Sequence, residues 1–405
     1  MSEEFWAWFE NMVDNCYDYA EEAKSKGRPI VGITCEFAPR ELIMAAGGVP
    51  VCLCGGNAET IPPAEEYLPT NLCPLIKSTF GYHVTGRNPF LKWADLVVAE
   101  TTCDGKKKMF ELMAETKPVY VMELPQKQDD ADALQHWIVE MHKLKAELER
   151  RFAVQITPEK IRQAITEMNR ERVLRRKLAE LMKSDVPPLT GRQLLDFRSI
   201  ISGIPAALEQ YEAAVATLGN QSRDVAPSAA KNPARDKPIP RDSQDDDGRV
   251  RVLLTGVPVV HGAERVVDII ESSGGLIVCM ENCTGLKPIL EDVDADSPDP
   301  IRALAEKYFR IPCALMTYNR RRIESLRTLA AEYRAECMID LVWQACTTYD
   351  VESYHVRKLA EEELGIPYLR IETDYSPSDS ARIAVRVEAL CETVRGGANM
   401  AGRNV

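Results

Sequence analysis

Six cysteines carry the chemistry that this sequence suggests. Cys35 closes "GITC", Cys73 precedes a proline in "NLCP", and Cys103 sits in "ETTCDGKKKMFE". In the second half, Cys283 falls in "ENCTG", Cys313 in "IPCALM" and Cys346 in "WQACTT". Their separations are 38 and 30 residues, then 30 and 33. Each separation is about one strand-helix repeat, so each thiol falls at a predicted strand end or helix start. In a parallel sheet, strand ends lie side by side along the edge where ligands bind. Three thiols would then converge from each half, and the two triplets would face each other across a cleft. Thiolates grouped this way suit iron–sulfur clusters, commonly four per cubane. Three per domain leaves one iron for a substrate, a solvent ligand or a bridging atom. Helix N-termini favour thiolate and an anionic cluster, and Cys73 before Pro74 and Cys103 before a lysine-led helix both fit. Ordinary burial is the competing reading, because a free cysteine behaves as a small hydrophobe. The sequence contains no CxxC pair, which argues against a compact zinc site.

The elements that must position these thiols alternate. "RPIVGITC", "VPVCLC", "ADLVVAETTC" and "KPVYVMEL" read as strands, with helices at "PRELIMAAGG", "NLCPLIKSTFGYHV" and "KKKMFELMAE". The pattern resumes with the strands "RVRVLLTGVPVV", "GLIVCMENC", "CMIDLVWQAC" and "GIPYLRIETD". Such alternation predicts an α/β fold of two doubly wound parallel-sheet domains. Residues 1–128 form the first, and residues 249–405 the second. Residues 129–218 carry long runs of helical periodicity and form a helical segment between them. Residues 219–248 are polar and rich in Pro, Ser, Ala and Asp, and read as a linker or mobile loop.

Composition narrows the function classes. The chain has 405 residues and a net charge of −12, which argues against a general nucleic-acid binder. The N-terminus lacks a signal-peptide pattern, and no apolar run approaches a membrane span. A cytoplasmic protein with no membrane partner is expected. Its twelve cysteines therefore read as metal ligands, redox groups or packing rather than as a disulfide framework. Cys16, Cys52, Cys54, Cys279, Cys337 and Cys391 read as packing, with Cys279 the foremost exception because it lies four residues from Cys283. Lys106, Lys107 and Lys108 could offset a cluster's negative charge, dock a partner, or form a solvated helix start. His83 and His261 lie in predicted loops and read as surface or structural residues, with proton donation the alternative. Arg40 and Glu41 are expected to cap the helix after Cys35. Asp350 and Glu352 read as surface carboxylates, with a proton relay the alternative.

The segments "GITCEFAPRELIMAAGGVPV", "NLCPLIKS", "ETTCDGKKKMFE", "ENCTGLKP" and "WQACTTYDVESY" resemble the 2-hydroxyacyl-CoA dehydratase/benzoyl-CoA reductase superfamily. Within it they are most similar to the double-cubane cluster branch. The resemblance implies that Cys35, Cys73, Cys103, Cys283, Cys313 and Cys346 hold two [4Fe-4S] cubanes bridged by sulfide, an [8Fe-9S] unit. It also implies a homodimer and a separate ATP-hydrolysing iron–sulfur activator that injects low-potential electrons. Neither a G-x-x-x-x-G-K-[ST] loop nor a G-x-G-x-x-G fingerprint is present, so no nucleotide is expected on this chain. The reading that follows is a low-potential reductase of small molecules. The alternatives are an (R)-2-hydroxyacyl-CoA dehydratase component with one [4Fe-4S] cluster, and a non-catalytic electron-transfer protein.

Overall fold

A computed structural model describes residues 4–224 and 248–401. Eight strands fall where the apolar runs place them. The first four are β1 (Ile30–Ile33), β2 (Val49–Cys52), β3 (Leu96–Glu100) and β4 (Val119–Met122). The second four are β5 (Val250–Gly256), β6 (Gly275–Glu281), β7 (Cys337–Trp343) and β8 (Tyr368–Thr373). They build two all-parallel sheets of identical topology, β2-β1-β3-β4 and β6-β5-β7-β8. Every residue of β3, β5, β6 and β7 is buried, as a parallel sheet covered on both faces requires. Strand order reverses between β1 and β3, and again between β5 and β7, which creates a ligand crevice at each carboxyl edge.

The segment after residue 129 is an integral layer. Helices Ala131–Phe152 and Pro158–Glu180 bury one face each. Ala131–Phe152 packs on helix Pro300–Phe309 of the second domain, while Pro158–Glu180 packs on helix Arg40–Ala45 of the first. The run "TGRQLLDFRSIISGIPAALEQYEAAVATL", the last stretch of that segment's helical periodicity, breaks into Gly191–Asp196 and Pro205–Asp224. Gly203 takes a positive φ of 76° and Pro205 can only open a new helix. Between the two pieces the chain is extended, and Ile201 bridges Val51 at the free edge of β2. Most of the polar stretch 219–248 lies outside the described residues. Its first residues continue the helix to Asp224.

One buried carboxylate joins all three parts. Glu41, in the helix after Cys35, accepts from the Arg172 guanidinium of the helical segment and from the Tyr308 hydroxyl of the second domain, the latter at 2.7 Å. Glu41 is therefore a tertiary tie, and neither it nor Arg40 caps its helix. Arg40 instead pairs with Glu36. Burial pushes the Glu41 carboxyl up, but Arg172, Lys307 and the Tyr308 hydroxyl outweigh it and hold the group below its ordinary range. The stability it contributes is present above about pH 4.3, the unfolded carboxyl value, and is lost as pH falls through the lowered folded value. Arg172→Met leaves that carboxylate buried without its main partner. It should cost about 3–5 kcal/mol at neutral pH, read by denaturant unfolding, and the deficit should narrow on acidification as Glu41 takes up a proton.

Candidate functional site

The cysteines reach the site through strand ends and helix starts. Cys35 follows β1. Cys73 immediately precedes helix Pro74–Thr85, Cys103 precedes Asp104–Ala114, and Cys346 precedes Thr347–Lys358. Each helix start turns backbone N–H groups towards its thiol: Leu75 and Ile76 towards Cys73, Gly105 and Lys106 towards Cys103, and Tyr349 towards Cys346. Cys283 follows β6, and Cys313 lies in the turn after Pro300–Phe309. The two domains approach closely here. A side chain at Gly56 would come within 2.2 Å of the His261 carbonyl oxygen, and Tyr375 donates to the Gly55 carbonyl at 3.1 Å.

The structure groups the six thiols across the domains. Cys35 has Cys283 and Cys313 as interacting neighbours. Cys73 and Cys346 are hydrogen-bonded to each other, and Cys103 lies beside both. Each group thus draws from both domains, in place of the expected triplet per domain. The two halves also differ in detail. Cys35 follows the first strand of its sheet, whereas Cys283 follows the second strand of the other. The topological counterpart of Cys283 is Cys54, just beyond β2.

Cys54 and Cys52 were assigned to packing, yet both border this pocket. The two thiols are hydrogen-bonded to each other. Cys54 donates to the Thr34 carbonyl at 3.3 Å and interacts with Cys35 and Lys106. A strand-end position shared with Cys283 was the available signal for Cys54. Cys279 is buried inside β6, so its proximity in sequence to Cys283 places it in the core and not in the pocket.

Of the three lysines, one faces the thiols. Lys106 is half-buried, donates to the Thr34 carbonyl, and interacts with Cys35, Cys54, Glu100 and Cys103. Burial opposes its charge, but those neighbours outweigh burial and hold its ammonium protonated. Lys107 pairs with Asp104, and Lys108 with Glu111, both on the exposed face. On the opposite side Lys287, fully buried, lies 3.3 Å from Glu281 and donates to the Tyr349 hydroxyl at 2.9 Å.

The remaining candidates are structural. His83 sits in the last turn of helix Pro74–Thr85, not in a loop, and contacts Thr116 at 2.9 Å. His261 is exposed near Glu264. Asp350 pairs with Arg370. Glu352 is buried rather than at the surface, held by Arg322 and by Asn319 at 2.7 Å.

Burial governs the thiols. It pushes Cys35 well above its ordinary value and Cys283 up to about 12, with Lys106 and Lys287 respectively opposing. The hydrogen bond between Cys73 and Cys346 lowers the first and raises the second. Metal coordination would offset that burial, because a coordinating thiol binds as the thiolate. Among the described residues, no group of three or more His, Cys, Asp or Glu side chains closes on a single point as a lone ion would require. The donors are all soft thiols, spread around one pocket beside two ammonium groups. That donor set fits a thiolate-bound iron–sulfur group rather than a zinc ion.

Two parallel-sheet domains that bring thiols from both together near the carboxyl edges of their sheets define an α/β protein with cysteines clustered between its domains. The chain belongs to the 2-hydroxyglutaryl-CoA dehydratase, D-component family, whose model matches residues 35–394. It is 40% identical over 371 residues to YjiM of Escherichia coli (strain K12), provisionally named a dehydratase subunit, covering 92% of this chain and 93% of that one. It is 23% identical to the (R)-phenyllactyl-CoA dehydratase beta subunit of Clostridium sporogenes, over 97% of this chain and 99% of that one. It is 22% identical to (R)-2-hydroxyglutaryl-CoA dehydratase, subunit beta, of Acidaminococcus fermentans, over 92% and 94%. Among the described residues no helix is long and apolar enough to cross a membrane.

Glu100 escaped the sequence reading altogether. It ends β3, is fully buried, and neither carboxyl oxygen has a hydrogen-bond partner among the described residues. Burial raises its carboxyl to about 8, against the opposing charges of Lys106 and Arg40. The folded chain therefore holds a proton that the unfolded chain releases above about pH 4.3. This contribution to stability is full below that value and declines as pH rises towards 8, by up to about 1.4 kcal/mol per pH unit. Glu100→Gln keeps the shape without the titration. Denaturant unfolding of the metal-free protein at pH 5 and pH 8 should show a smaller loss of stability in the variant.

Proposed function

We propose that this chain is a low-potential iron–sulfur reductase of small molecules, with the six thiols holding two [4Fe-4S] cubanes bridged by sulfide. The observation that supports the reading is the proximity, within a single chain, of Cys35 to Cys283 and Cys313 and of Cys73 to Cys103 and Cys346, each group with thiols from both domains. When bound, such a group supplies single electrons at low potential. The chain's own residues supply the rest. Lys106 and Lys287 place positive charge against an anionic centre, and the close approach of Gly55 and Gly56 to the second domain narrows access to it. The electrons come from a separate ATP-hydrolysing activator, in keeping with the lack of a phosphate-binding loop in this sequence. The protein works as a homodimer in the cytoplasm.

The names of the relatives favour a second reading, a 2-hydroxyacyl-CoA dehydratase component. Such a component holds one [4Fe-4S] cluster and leaves part of the six-thiol set without a role. Iron and sulfide quantification with EPR of the reduced, anaerobically purified protein separates the two. Two cubanes' worth of iron per chain is the expected result, and one cubane's worth favours the dehydratase. A protein that stays colourless after anaerobic reconstitution overturns every cluster reading. Cys103→Ser should lower the iron content, whereas Cys391→Ser, in the last helix and remote from the pocket, should leave it unchanged.

A further inference from the structure

Tyr349 has a role that neither the cysteine pattern nor the family assigns. It is buried, at 6% exposure, in the first turn of the helix that follows Cys346. Its hydroxyl has two partners. Lys287 Nζ lies 2.9 Å away, and Cys313 Sγ lies 3.9 Å away. An ammonium has three donors and no acceptor, so the phenol oxygen must accept from Lys287. A cysteine that ligates a metal is a thiolate and can only accept, so the phenol's single proton is then the one group of the hydroxyl left to meet the sulfur. Lys287 is itself fixed by Glu281 at 3.3 Å and sits 5.1 Å from the Tyr349 ring centroid. Arg322 flanks the same ring at 5.1 Å. Both cations are fully buried and held by carboxylates, so the ring and its hydroxyl have little freedom to turn.

Among the described residues the other thiol group has no equivalent. Tyr375 interacts with Cys73 and Cys54, but its hydroxyl is spent on the Gly55 carbonyl at 3.1 Å. Thr348 Oγ1 is 4.0 Å from Cys346 Sγ, yet its side chain is only half-buried and can donate to water. One sulfur, Cys313, therefore stands beside a hydroxyl whose oxygen is held by a buried cation. Hydrogen bonds to ligand sulfurs are among the factors that set a cluster's reduction potential. A donor draws electron density from the sulfur and stabilises the reduced, more anionic form.

We infer that Tyr349 is a positioning residue that donates its hydroxyl to the Cys313 sulfur and makes the iron–sulfur group bound there easier to reduce. The inference rests on the iron–sulfur reading above and adds an electrical asymmetry between the two thiol groups.

The test is an EPR-monitored reductive titration of the anaerobically purified full chain, with iron and sulfide measured on every sample. Tyr349→Phe removes the hydroxyl and keeps the ring. It should retain the parent's iron and shift one reduction step to more negative potential. Incorporation of 3-fluorotyrosine at position 349 keeps the hydroxyl and makes it a stronger donor, so the same step should move in the positive direction. Tyr368→Phe serves as the control, since that hydroxyl bonds Asp340 at 3.1 Å, and it should move neither step. A fully loaded Tyr349→Phe protein with unshifted steps overturns the inference. Should Tyr349→Phe lose iron, an unshifted fluorotyrosine protein overturns it equally. A parent protein that binds no iron defeats the cluster reading itself, an outcome visible before any variant is compared.

Discussion

The structure depends on a carboxylate that cannot reach water. Glu41 belongs to the first domain, Arg172 to the helical segment and Tyr308 to the second domain, and the three meet in a fully buried contact. A buried ion pair contributes little net stability against an apolar alternative, but a broken one is costly. It therefore acts as a registration device. The placement of the two sheets that satisfies Glu41 also brings Cys35 close to Cys283 and Cys313. Helix Arg40–Ala45, which carries Glu41, begins five residues after Cys35, so the tie and the thiol move together.

The pocket so formed is charged in an ordered way. Lys106 and Lys287 approach the thiols from opposite domains, each with a glutamate nearby, Glu100 and Glu281. The two arrangements are not equivalent. Glu281 is engaged by Lys287, Arg322 and Thr255, whereas the Glu100 carboxyl has no hydrogen-bond partner among the described residues. One side of the pocket is an ion-paired network beside a tyrosine, in which only one oxygen of Glu281 lacks a hydrogen-bond partner among the described residues. The other is an open one in which a half-buried ammonium and a proton-retaining carboxyl lie close to the sulfurs. A repeated sheet topology has thus been furnished with two different electrostatic linings.

Much of this was legible beforehand, and the reasons are local. Apolar runs such as "ADLVVA" are strands wherever they occur in a sheet covered on both faces, and the alternation with helices sets the parallel topology. Cysteine at a strand end or directly before a proline-led helix start is likewise a local fact. What escaped was whatever depended on a partner distant in sequence. Glu41 looked like a helix cap because its partners are Arg172 and Tyr308. Glu352 looked like a surface carboxylate because Arg322 and Asn319 are brought to it by another helix. Cys54 looked like packing because its neighbour Cys35 lies just beyond a different strand, and only the pairing of β1 with β2 brings the two together.

The sequence by itself determined the two parallel-sheet domains, their cysteine-bearing edges and the chemical type of the donors, because strand periodicity, helix starts and thiol identity are properties of short segments. The tertiary structure alone decided which thiols stand together, which of three consecutive lysines faces them, and that a tyrosine hydroxyl stands beside one sulfur. Those outcomes follow from how two sheets and an intervening helical layer are docked, and that docking is set by buried contacts between residues more than a hundred positions apart.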